Sequence, residues 1–226
     1  MSAAAAHKLR VIRVLLVDDH PIVRQGLAQL INQEKDMEVC GEAMDHAGGL
    51  AAIKEHNPDL AVVDISLKGS DGLALLKDIR EETPHLPVLV LSMHDEGMYA
   101  ERALRAGARG YIMKQEALEQ VLQAIRRILV GELFLSEKMR TRLLFAVTKG
   151  GNDLETSPIS RLGDRELTVF QLAGEGLSTR EIAKRMGLSV KTVESYYARI
   201  KEKLNLKSAT ELVQSATLWV ASESCG

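Results

Sequence analysis

Residues 11–27 read VIRVLLVDDHPIVRQGL, and this stretch decides the fold of the first half of the chain. A nearly continuous apolar run ends in Asp18 and Asp19, and Pro21 then opens a segment with helical spacing. Continuous apolar runs are typical of parallel strands that are covered by helices on both faces. Proline is favoured in the first turn of a helix, where a backbone N–H would have no partner. The stretch therefore predicts a buried strand followed directly by a helix.

The same strand-helix unit recurs four more times along the chain. The predicted strands cover residues 11–17, 38–42, 60–64, 87–92 and 109–113, and the predicted helices lie near 21–33, 46–56, 72–82, 96–106 and 116–130. The second helix contains Gly48 and Gly49, which are poor helix formers. Five such units joined by right-handed crossovers predict an α/β flavodoxin-like, doubly wound, five-stranded parallel sheet.

Length and composition exclude several classes of protein. The 226 residues leave room for about two domains, and 46% hydrophobic with 27% charged residues is typical of globular chains. No apolar run reaches the roughly 18 residues of a spanning helix, and no signal peptide is recognisable. The two cysteines, Cys40 and Cys225, support neither a disulfide framework nor a metal cluster. We therefore expect a cytoplasmic protein without a membrane partner.

The strand-helix alternation ends after Val130, and short helices follow from about residue 161. A capping box begins at Ser178, a turn is expected at Gly187, and Ser189 and Ser208 are candidate caps of two further helices. This pattern predicts a small all-α helix-turn-helix domain. The predicted organisation is a tail over 1–9, a first domain over 10–130, a linker over 131–158 that is compatible with a helix near 137–147, and a second domain over 159–222.

Polar side chains gather where the predicted strands end. Asp18 and Asp19 follow the first strand, Asp64 and Ser92 end the third and fourth, and Lys114 follows the fifth. An acidic pair alone more often stabilises the N-terminus of the following helix than forms a binding site. Five groups at one edge are different, because clustered carboxylates repel unless a hard cation lies among them. Mg²⁺ suits such oxygen ligands together with a phosphate, whose remaining oxygens Lys114 and Ser92 could hold.

Four segments carry a family resemblance: LLVDDHPIVRQGL, PDLAVVDISLKGSDGLALL, LVLSMHDE and ALRAGARGYIMKQEA. They resemble the receiver domain of two-component response regulators, and the whole chain resembles the NarL/FixJ (LuxR-type helix-turn-helix) family. The resemblance implies that a sensor histidine kinase phosphorylates Asp64. It also implies direct Mg²⁺ ligation by Asp19, Asp64 and the carbonyl of Ser66, with Asp18 acting largely through water. By the same resemblance Ser92 and Lys114 contact the phosphoryl group, and Tyr111 occupies an aromatic switch position.

Three residues depart from the receiver pattern. Gln115 and Lys68 stand where many receivers have proline, and Met93 stands where many have a small residue. Together with His94, Met93 lies near the approach of water to Asp64. We expect these departures to affect the kinetics of phosphorylation and dephosphorylation, since none of them removes a catalytic group.

Residues 162–220 resemble the LuxR-type DNA-binding domain, and Gly163 replaces its usual Thr or Ser cap. On the helix predicted over about 190–204, Val193, Tyr197, Ile200 and Leu204 form one apolar stripe, which leaves a polar face for a DNA groove. The family alignment implies base reading by Glu194, Ser195 and Ala198 and phosphate contacts by Lys191, Thr192 and Arg199. The net charge is +2 from residue 159 onward and −4 before it. Because a monomer with so small an excess of positive charge should bind double-stranded DNA weakly, we expect the protein to bind as a homodimer.

The sequence thus predicts a phosphorylation-controlled transcription regulator that is not an enzyme beyond its own phosphoryl transfer. An aspartyl phosphatase would have its two aspartates two residues apart after one strand, whereas Asp18 and Asp19 are adjacent. A receiver that acts only as a protein-interaction adaptor is the main alternative, and it would not need the second domain. A ligand-binding quorum regulator is disfavoured, because few aromatic residues besides Trp219 are available to line a pocket.

Overall fold

The computed structural model describes residues 10–67, 72–93, 96–148 and 158–224. The predicted tail over 1–9, residues 149–157 of the predicted linker, Lys68, His94 and Cys225 lie outside the described residues. The chain divides into two compact units, one of Met1–His94 with Arg102–Phe134 and the other of Asp95–Glu101 with Leu135–Gly226. Among the described helices, none combines the length and the apolar character that crossing a membrane requires.

The five predicted strands are confirmed, and they form one parallel sheet. In chain order they are β1 (Ile12–Val17), β2 (Met37–Ala43), β3 (Leu60–Asp64), β4 (Val88–Ser92) and β5 (Gly110–Met113). Their order in the sheet is β2-β1-β3-β4-β5. This is the flavodoxin-like order, in which the direction of winding changes between β1 and β3. The carboxyl ends of those two strands therefore flank the crevice where such folds bind ligands.

The five predicted helices are also confirmed within one or two residues. They are α1 (Pro21–Asn32), α2 (His46–His56), α3 (Gly72–Glu82), α4 (Glu96–Ala106) and α5 (Ala117–Leu129). The glycines do not prevent α2 because Asp45 caps it, accepting a hydrogen bond of 2.8 Å from the N–H of Gly48. Gly49 lets α2 approach α3 closely, since a Cβ at this position would lie 3.2 Å from Leu75.

The core of the first unit explains why its strands read as continuous apolar runs. Every residue of β3 and β4 is buried, including the polar Asp64 and Ser92 at their ends. Helices α1 and α5 contribute Leu27, Ile31 and Ile125 to the core on one face of the sheet. A sheet covered on both faces is rigid, so the polar groups at its edge are held in fixed positions.

The segment after α5 continues into the first unit for a few residues. Phe134 is 8% exposed, forms a parallel bridge with Gly110, and its carbonyl accepts a hydrogen bond of 2.9 Å from the N–H of Tyr111. The predicted linker over 131–158 therefore begins with residues that pack against β5. The sequence did not reveal this, because a bridge of one residue has no periodicity.

Helices make up the described part of the second half of the chain. They are α6 (Glu137–Thr148), a 3-10 turn (Pro158–Arg161), α7 (Asp164–Gly174), α8 (Thr179–Met186), α9 (Val190–Leu204) and α10 (Ala209–Ser224). The expected helix near 137–147 is confirmed by α6. The predicted caps form as well: Ser178 and Ser189 accept hydrogen bonds from the N–H groups of Glu181 and Thr192. Gly187 ends α8 in the left-handed conformation.

The core of this helical region packs around Phe170 of α7. Its ring centroid lies 5.6 Å from that of Trp219 on α10. Val193 and Ile200 of α9 are fully buried, whereas Tyr197 and Leu204 of the predicted stripe are half-buried. The predicted stripe is therefore the inner face of α9, and the opposite face is left exposed.

Candidate functional site

An acidic cluster lies at the carboxyl ends of β1 and β3. Asp18, Asp19, His20 and Asp64 each offer a ligand atom, and these atoms all lie within 4.8 Å of one another. Asp18 and Asp64 are 3% and 1% exposed. The topology brings them together, because β1 and β3 are neighbours whose carboxyl ends meet at one edge of the sheet. The convergence of the three carboxylates is as the sequence predicts.

Lys114 reaches into this cluster from the end of β5. Its Nζ lies 2.7 Å from Oδ2 of Asp18 and 2.8 Å from Oδ2 of Asp64, and its side chain is 3% exposed. Its backbone N–H donates a hydrogen bond of 2.8 Å to the carbonyl of Ser92, which ties β5 to β4 at this edge. A buried ammonium between two buried carboxylates compensates negative charges whose removal from water would otherwise cost free energy.

The carboxylate of Asp64 is held on both sides. The N–H of Ser66 donates a hydrogen bond of 2.8 Å to Oδ1, while Lys114 donates to Oδ2. Burial raises the pKa of Asp64, whereas the charge and hydrogen bond of Lys114 act in the opposite direction without cancelling it. Asp64 thus combines a fixed orientation with a carboxylate that water solvates poorly.

Arg24 braces the loop that carries Asp18. Its Nη1 donates a hydrogen bond of 2.6 Å to the carbonyl of Asp18, and its Nε donates one of 2.7 Å to Glu42 at the end of β2. The side chain is 12% exposed. No local pattern singles out Arg24, because Arg24 lies on α1 and its partner Glu42 lies on β2.

His20 is the other member of the site that sequence reasoning missed. Its Nδ1 lies 2.8 Å from Oδ1 of Asp19 and 3.1 Å from Oδ1 of Asp18. The backbone N–H of His20 donates to the same oxygen of Asp18 at 2.7 Å. Its position directly after the two aspartates was an available signal, but a histidine before a helix more often points into solvent.

The second candidate site is the exposed face of α9. Lys191, Glu194, Ser195, Ala198 and Arg199 are all exposed, and Thr192 is half-buried beside the cap at Ser189. The hydroxyl of Ser195 donates a hydrogen bond of 3.0 Å to the carbonyl of Lys191, so in this conformation it serves its own helix. The preceding helix, α8, also exposes basic residues, namely Arg180, Lys184 and Arg185. An exposed polar helix after a capped helix and a glycine turn matches the geometry of a helix-turn-helix.

A contact between α7 and α9 holds this exposed helix in place. The carboxylate of Glu166, 6% exposed, accepts a hydrogen bond of 2.6 Å from Nζ of Lys203 and one of 2.7 Å from the N–H of Gly163. Burial alone would raise the pKa of Glu166, but these hydrogen bonds outweigh it and lower that pKa. The expected weakness at Gly163 is therefore offset in part, because Glu166 satisfies the N–H of the cap position.

Two domain families match the chain. Residues 14–126 match the response regulator receiver domain, and residues 160–216 match the luxR family of bacterial regulatory proteins. The chain belongs to the luxR-type response regulators.

Curated relatives agree with this family. The chain is 37% identical to the oxygen regulatory protein NreC of Staphylococcus haemolyticus over 209 aligned residues. The alignment covers 91% of this chain and 96% of that protein. It is 36% identical to NreC of Staphylococcus carnosus with the same coverage.

Solved structures also resemble this response regulator. RcsB of Salmonella typhimurium shares 26% identity and a TM-score of 0.64, with 92% of this chain and 98% of that chain covered. RcsB of Salmonella enterica serovar Typhimurium, bound to the promoter rprA in the presence of the phosphomimetic BeF3-, shares 26% identity and a TM-score of 0.60, with 92% and 99% covered.

The remaining predicted residues of the response regulator lie where the strands place them. Ser92 is fully buried at the end of β4, and Tyr111 on β5 is 2% exposed. The side chain of Met93 is 54% exposed beside Ser92. The roles that the family resemblance implies for Ser92 and Tyr111 stay predictions, as does the expected effect of Met93 on the kinetics.

The donor atoms at this edge of the sheet suit Mg²⁺. Carboxylate oxygens are the ligands that hard divalent cations prefer. Oδ2 of the buried Asp18 accepts no hydrogen bond of acceptable geometry from the described residues, although Nζ of Lys114 lies near it. Within the described part of the chain, the three carboxylates share this single ammonium, so a divalent cation among them would compensate the remaining negative charge.

Proposed function

We propose that Asp64 accepts a phosphoryl group from a phosphohistidine of a sensor kinase and that this modification controls DNA binding through α9. The proposal rests on one observation above others: a buried carboxylate at the end of β3 faces an ammonium and two further carboxylates. In the transfer, an Asp64 oxygen forms a bond to phosphorus while the bond from phosphorus to the histidine nitrogen breaks. The chain turns over no external substrate in this scheme.

Each side chain at the edge of the sheet has a part in that transfer. Asp19, Asp64 and the carbonyl of Ser66 would hold Mg²⁺, with Asp18 acting largely through water. When bound, the cation supplies positive charge that stabilises the oxygens of the transferring phosphoryl group. Lys114 then donates to one phosphoryl oxygen, because its ammonium already lies 2.8 Å from Asp64.

Two groups would report the modified state to the rest of the unit. The hydroxyl of Ser92, at the end of the strand next to β3, donates to a phosphoryl oxygen. Tyr111 lies on β5 opposite Val90 of β4, so a shift at the end of β4 is transmitted to its neighbourhood. Phosphorylation changes DNA binding only if the two states differ in free energy at the DNA-binding surface.

The exposed face of α9 is the proposed reader of double-stranded DNA. Glu194, Ser195 and Ala198 would contact base edges, and Lys191, Thr192 and Arg199 would contact phosphates. A carboxylate can accept from cytosine N4 but is repelled by the DNA backbone, so Glu194 contributes selectivity more than affinity. The net charge of only +2 from residue 159 onward favours a homodimer on two half-sites. The DNA complexes of RcsB support this assignment.

The alternative function is a protein-interaction adaptor without regulated DNA binding. The luxR-type match over residues 160–216 and the exposed polar face of α9 favour DNA binding instead. The cytoplasmic location expected from the cysteine content belongs to the same proposal, because this chain and the phosphohistidine of the kinase must meet in one compartment.

Phosphotransfer to purified variants tests the first half of the proposal. The full chain is incubated with phosphoramidate and Mg²⁺, and the added mass of one phosphoryl group is followed by intact-protein mass spectrometry. We expect one acid-labile phosphoryl group on the wild type and none on Asp64→Asn. Asp78→Asn is the matched control, because Asp78 is a partly exposed aspartate that pairs with His46. Acid-stable label on the Asp64→Asn variant would refute the assignment.

Selection from random double-stranded DNA tests the second half. The phosphorylated full chain should enrich a two-part sequence, and its affinity for that sequence should exceed that of the unphosphorylated chain at the same salt concentration. Equal affinity of the two forms, or no enrichment, would favour the adaptor.

A further inference from the structure

The imidazole of His20 lies among the carboxylates of the phosphorylation site and has no part in the mechanism above. Its Nδ1 is 2.8 Å from Asp19 Oδ1, 3.1 Å from Asp18 Oδ1 and 3.8 Å from Asp64 Oδ2. A nitrogen donor therefore stands beside three oxygen donors at the end of the sheet.

Local structure holds this imidazole in place. The backbone N–H of His20 donates a hydrogen bond of 2.7 Å to Asp18 Oδ1, and Pro21 begins α1 immediately after it. Proline fixes its own backbone torsion and disfavours the helical conformation for the residue before it. His20 accordingly adopts extended backbone torsions, with φ −94° and ψ 104°, and its ring faces the carboxylates while half of its side chain is exposed.

The ammonium of Lys114 marks where a positive charge is stable in this cluster. Its Nζ lies 2.7 Å from Asp18 Oδ2, 2.8 Å from Asp64 Oδ2 and 3.2 Å from Nδ1 of His20. Nδ1 of His20 therefore lies within reach of an ammonium as well as of the carboxylates of Asp18 and Asp19. Two carboxylate oxygens and one imidazole nitrogen thus surround a cation in this structure.

The chemistry of this donor set differs from that of an all-oxygen site. Mg²⁺ prefers oxygen ligands and gives up its water reluctantly. Imidazole suits divalent transition metals, whose affinity for nitrogen exceeds that of Mg²⁺. Oδ2 of Asp18, one of the two carboxylate oxygens beside Lys114, accepts no hydrogen bond of acceptable geometry from the described residues.

We propose that His20 ligates a divalent transition metal through Nδ1 at the phosphorylation site, so that the site selects Mn²⁺ or a similar ion over Mg²⁺. This inference rests on the proposed function, because the same carboxylates hold the cation in both. In this proposal the imidazole of His20 gives the site its preference for a transition metal, which carboxylate ligands alone would not provide.

Pulsed electron paramagnetic resonance of the full chain loaded with Mn²⁺ tests the assignment directly. The electron-spin-echo modulation should show coupling to a nitrogen nucleus, and the coupling should change to that of ¹⁵N when the protein is labelled with [¹⁵N]histidine. The His20→Gln variant should lose the coupling, whereas His46→Gln, which changes a histidine paired with Asp78, should retain it. Absence of nitrogen coupling in the wild type would overturn the proposal, and the labelling result does not depend on how any variant folds.

Affinities give a second readout. Titration calorimetry with Mn²⁺ and with Mg²⁺ should show that His20→Gln lowers the preference for Mn²⁺ by about tenfold and changes Mg²⁺ affinity little. An unchanged preference would contradict ligation by His20. Phosphorylation of Asp64 in Mg²⁺ distinguishes the two proposals: if it proceeds in the wild type without any nitrogen coupling, the proposed function stands and the inference about His20 fails.

Discussion

Nζ of Lys114 lies 2.8 Å from Oδ2 of Asp64, and the two side chains, 50 residues apart in the chain, form an ion pair that is almost wholly buried. The same Nζ lies 2.7 Å from Oδ2 of Asp18. The lysine therefore compensates two carboxylates at once, and any divalent cation that binds there shares them with an ammonium.

Replacing Lys114 by alanine is expected to strengthen Mg²⁺ binding, because a positive charge that repels the incoming cation is removed. An increase of about tenfold corresponds to about 1.4 kcal/mol, a modest share of a buried charge-charge interaction. Titration calorimetry of the full chain measures it. Lys54→Ala is the control, since Lys54 pairs with Glu82 on the surface and should leave Mg²⁺ affinity unchanged. Weaker Mg²⁺ binding by Lys114→Ala would show that the ammonium orders the carboxylates instead of competing with the cation.

The Arg24→Ala substitution is expected to weaken Mg²⁺ binding about three- to tenfold, because the loop that carries Asp18 loses its brace to Glu42 and the cation must order it, a cost of roughly 1 kcal/mol. Arg24→Lys keeps the charge but cannot make both hydrogen bonds, so its affinity should fall nearly as far. The same calorimetric titration measures both variants. If Arg24→Lys keeps wild-type affinity, the charge of Arg24 matters and its two hydrogen bonds do not.

Gly72 at the start of α3 allows the close approach of this helix to β3. A Cβ at this position would lie 2.3 Å from Cα of Ile65 and 2.6 Å from the carbonyl of Asp64, and backbone atoms cannot give way cheaply. Gly72→Ala is therefore expected to destabilise the first unit by about 1–3 kcal/mol or more and to slow phosphorylation of Asp64. Gly26→Ala is the control, because its Cβ would meet only Leu118 at 3.9 Å. Chemical denaturation followed by circular dichroism compares them; equal midpoints would contradict the prediction.

Glu166 is expected to make the free energy of unfolding of the helical region depend on pH. Its pKa is lowered in the folded state, so its contribution to stability is present above the ordinary glutamate pKa and is lost as the pH falls through the folded value. Glu166→Gln should cost on the order of 1 kcal/mol at pH 7 and progressively less below about pH 4.3. Urea unfolding followed by fluorescence reports on this region, because Trp219 is the sole tryptophan and lies against Phe170. A difference between the two proteins that stayed constant with pH would assign the effect to packing.

Substitutions on α9 should separate affinity from selectivity. Arg199→Ala is expected to weaken binding to all DNA sequences and to reduce the salt dependence by about one phosphate contact. Glu194→Ala should mainly relax base preference, since a carboxylate contributes no attraction to phosphates. Binding titrations at several salt concentrations, on selected and on random DNA, distinguish the two. Uniform weakening by Glu194→Ala, with base preference unchanged, would show that Glu194 does not read bases.

The pattern of the sequence was sufficient for the architecture of both parts of the chain. The continuous apolar runs of the strands, Pro21 and the caps at Ser178 and Ser189 are local signals, and local signals place elements within one or two residues here. The acidic edge followed in turn, because parallel strands bring their carboxyl ends together whatever their side chains are. The sequence alone thus determined the fold class, the convergence of Asp18, Asp19 and Asp64, and the outward face of α9.

Only the tertiary structure decided which side chains complete these sites. The ring of His20 could have faced solvent, and it faces the carboxylates because hydrogen bonding to Asp18 and the start of α1 fix its direction. Arg24 with Glu42 and Glu166 with Lys203 join residues of different elements, and no local pattern encodes such pairs. Periodicity determines which face of an element is buried, whereas contacts between side chains depend on the distances and angles at which packed elements meet.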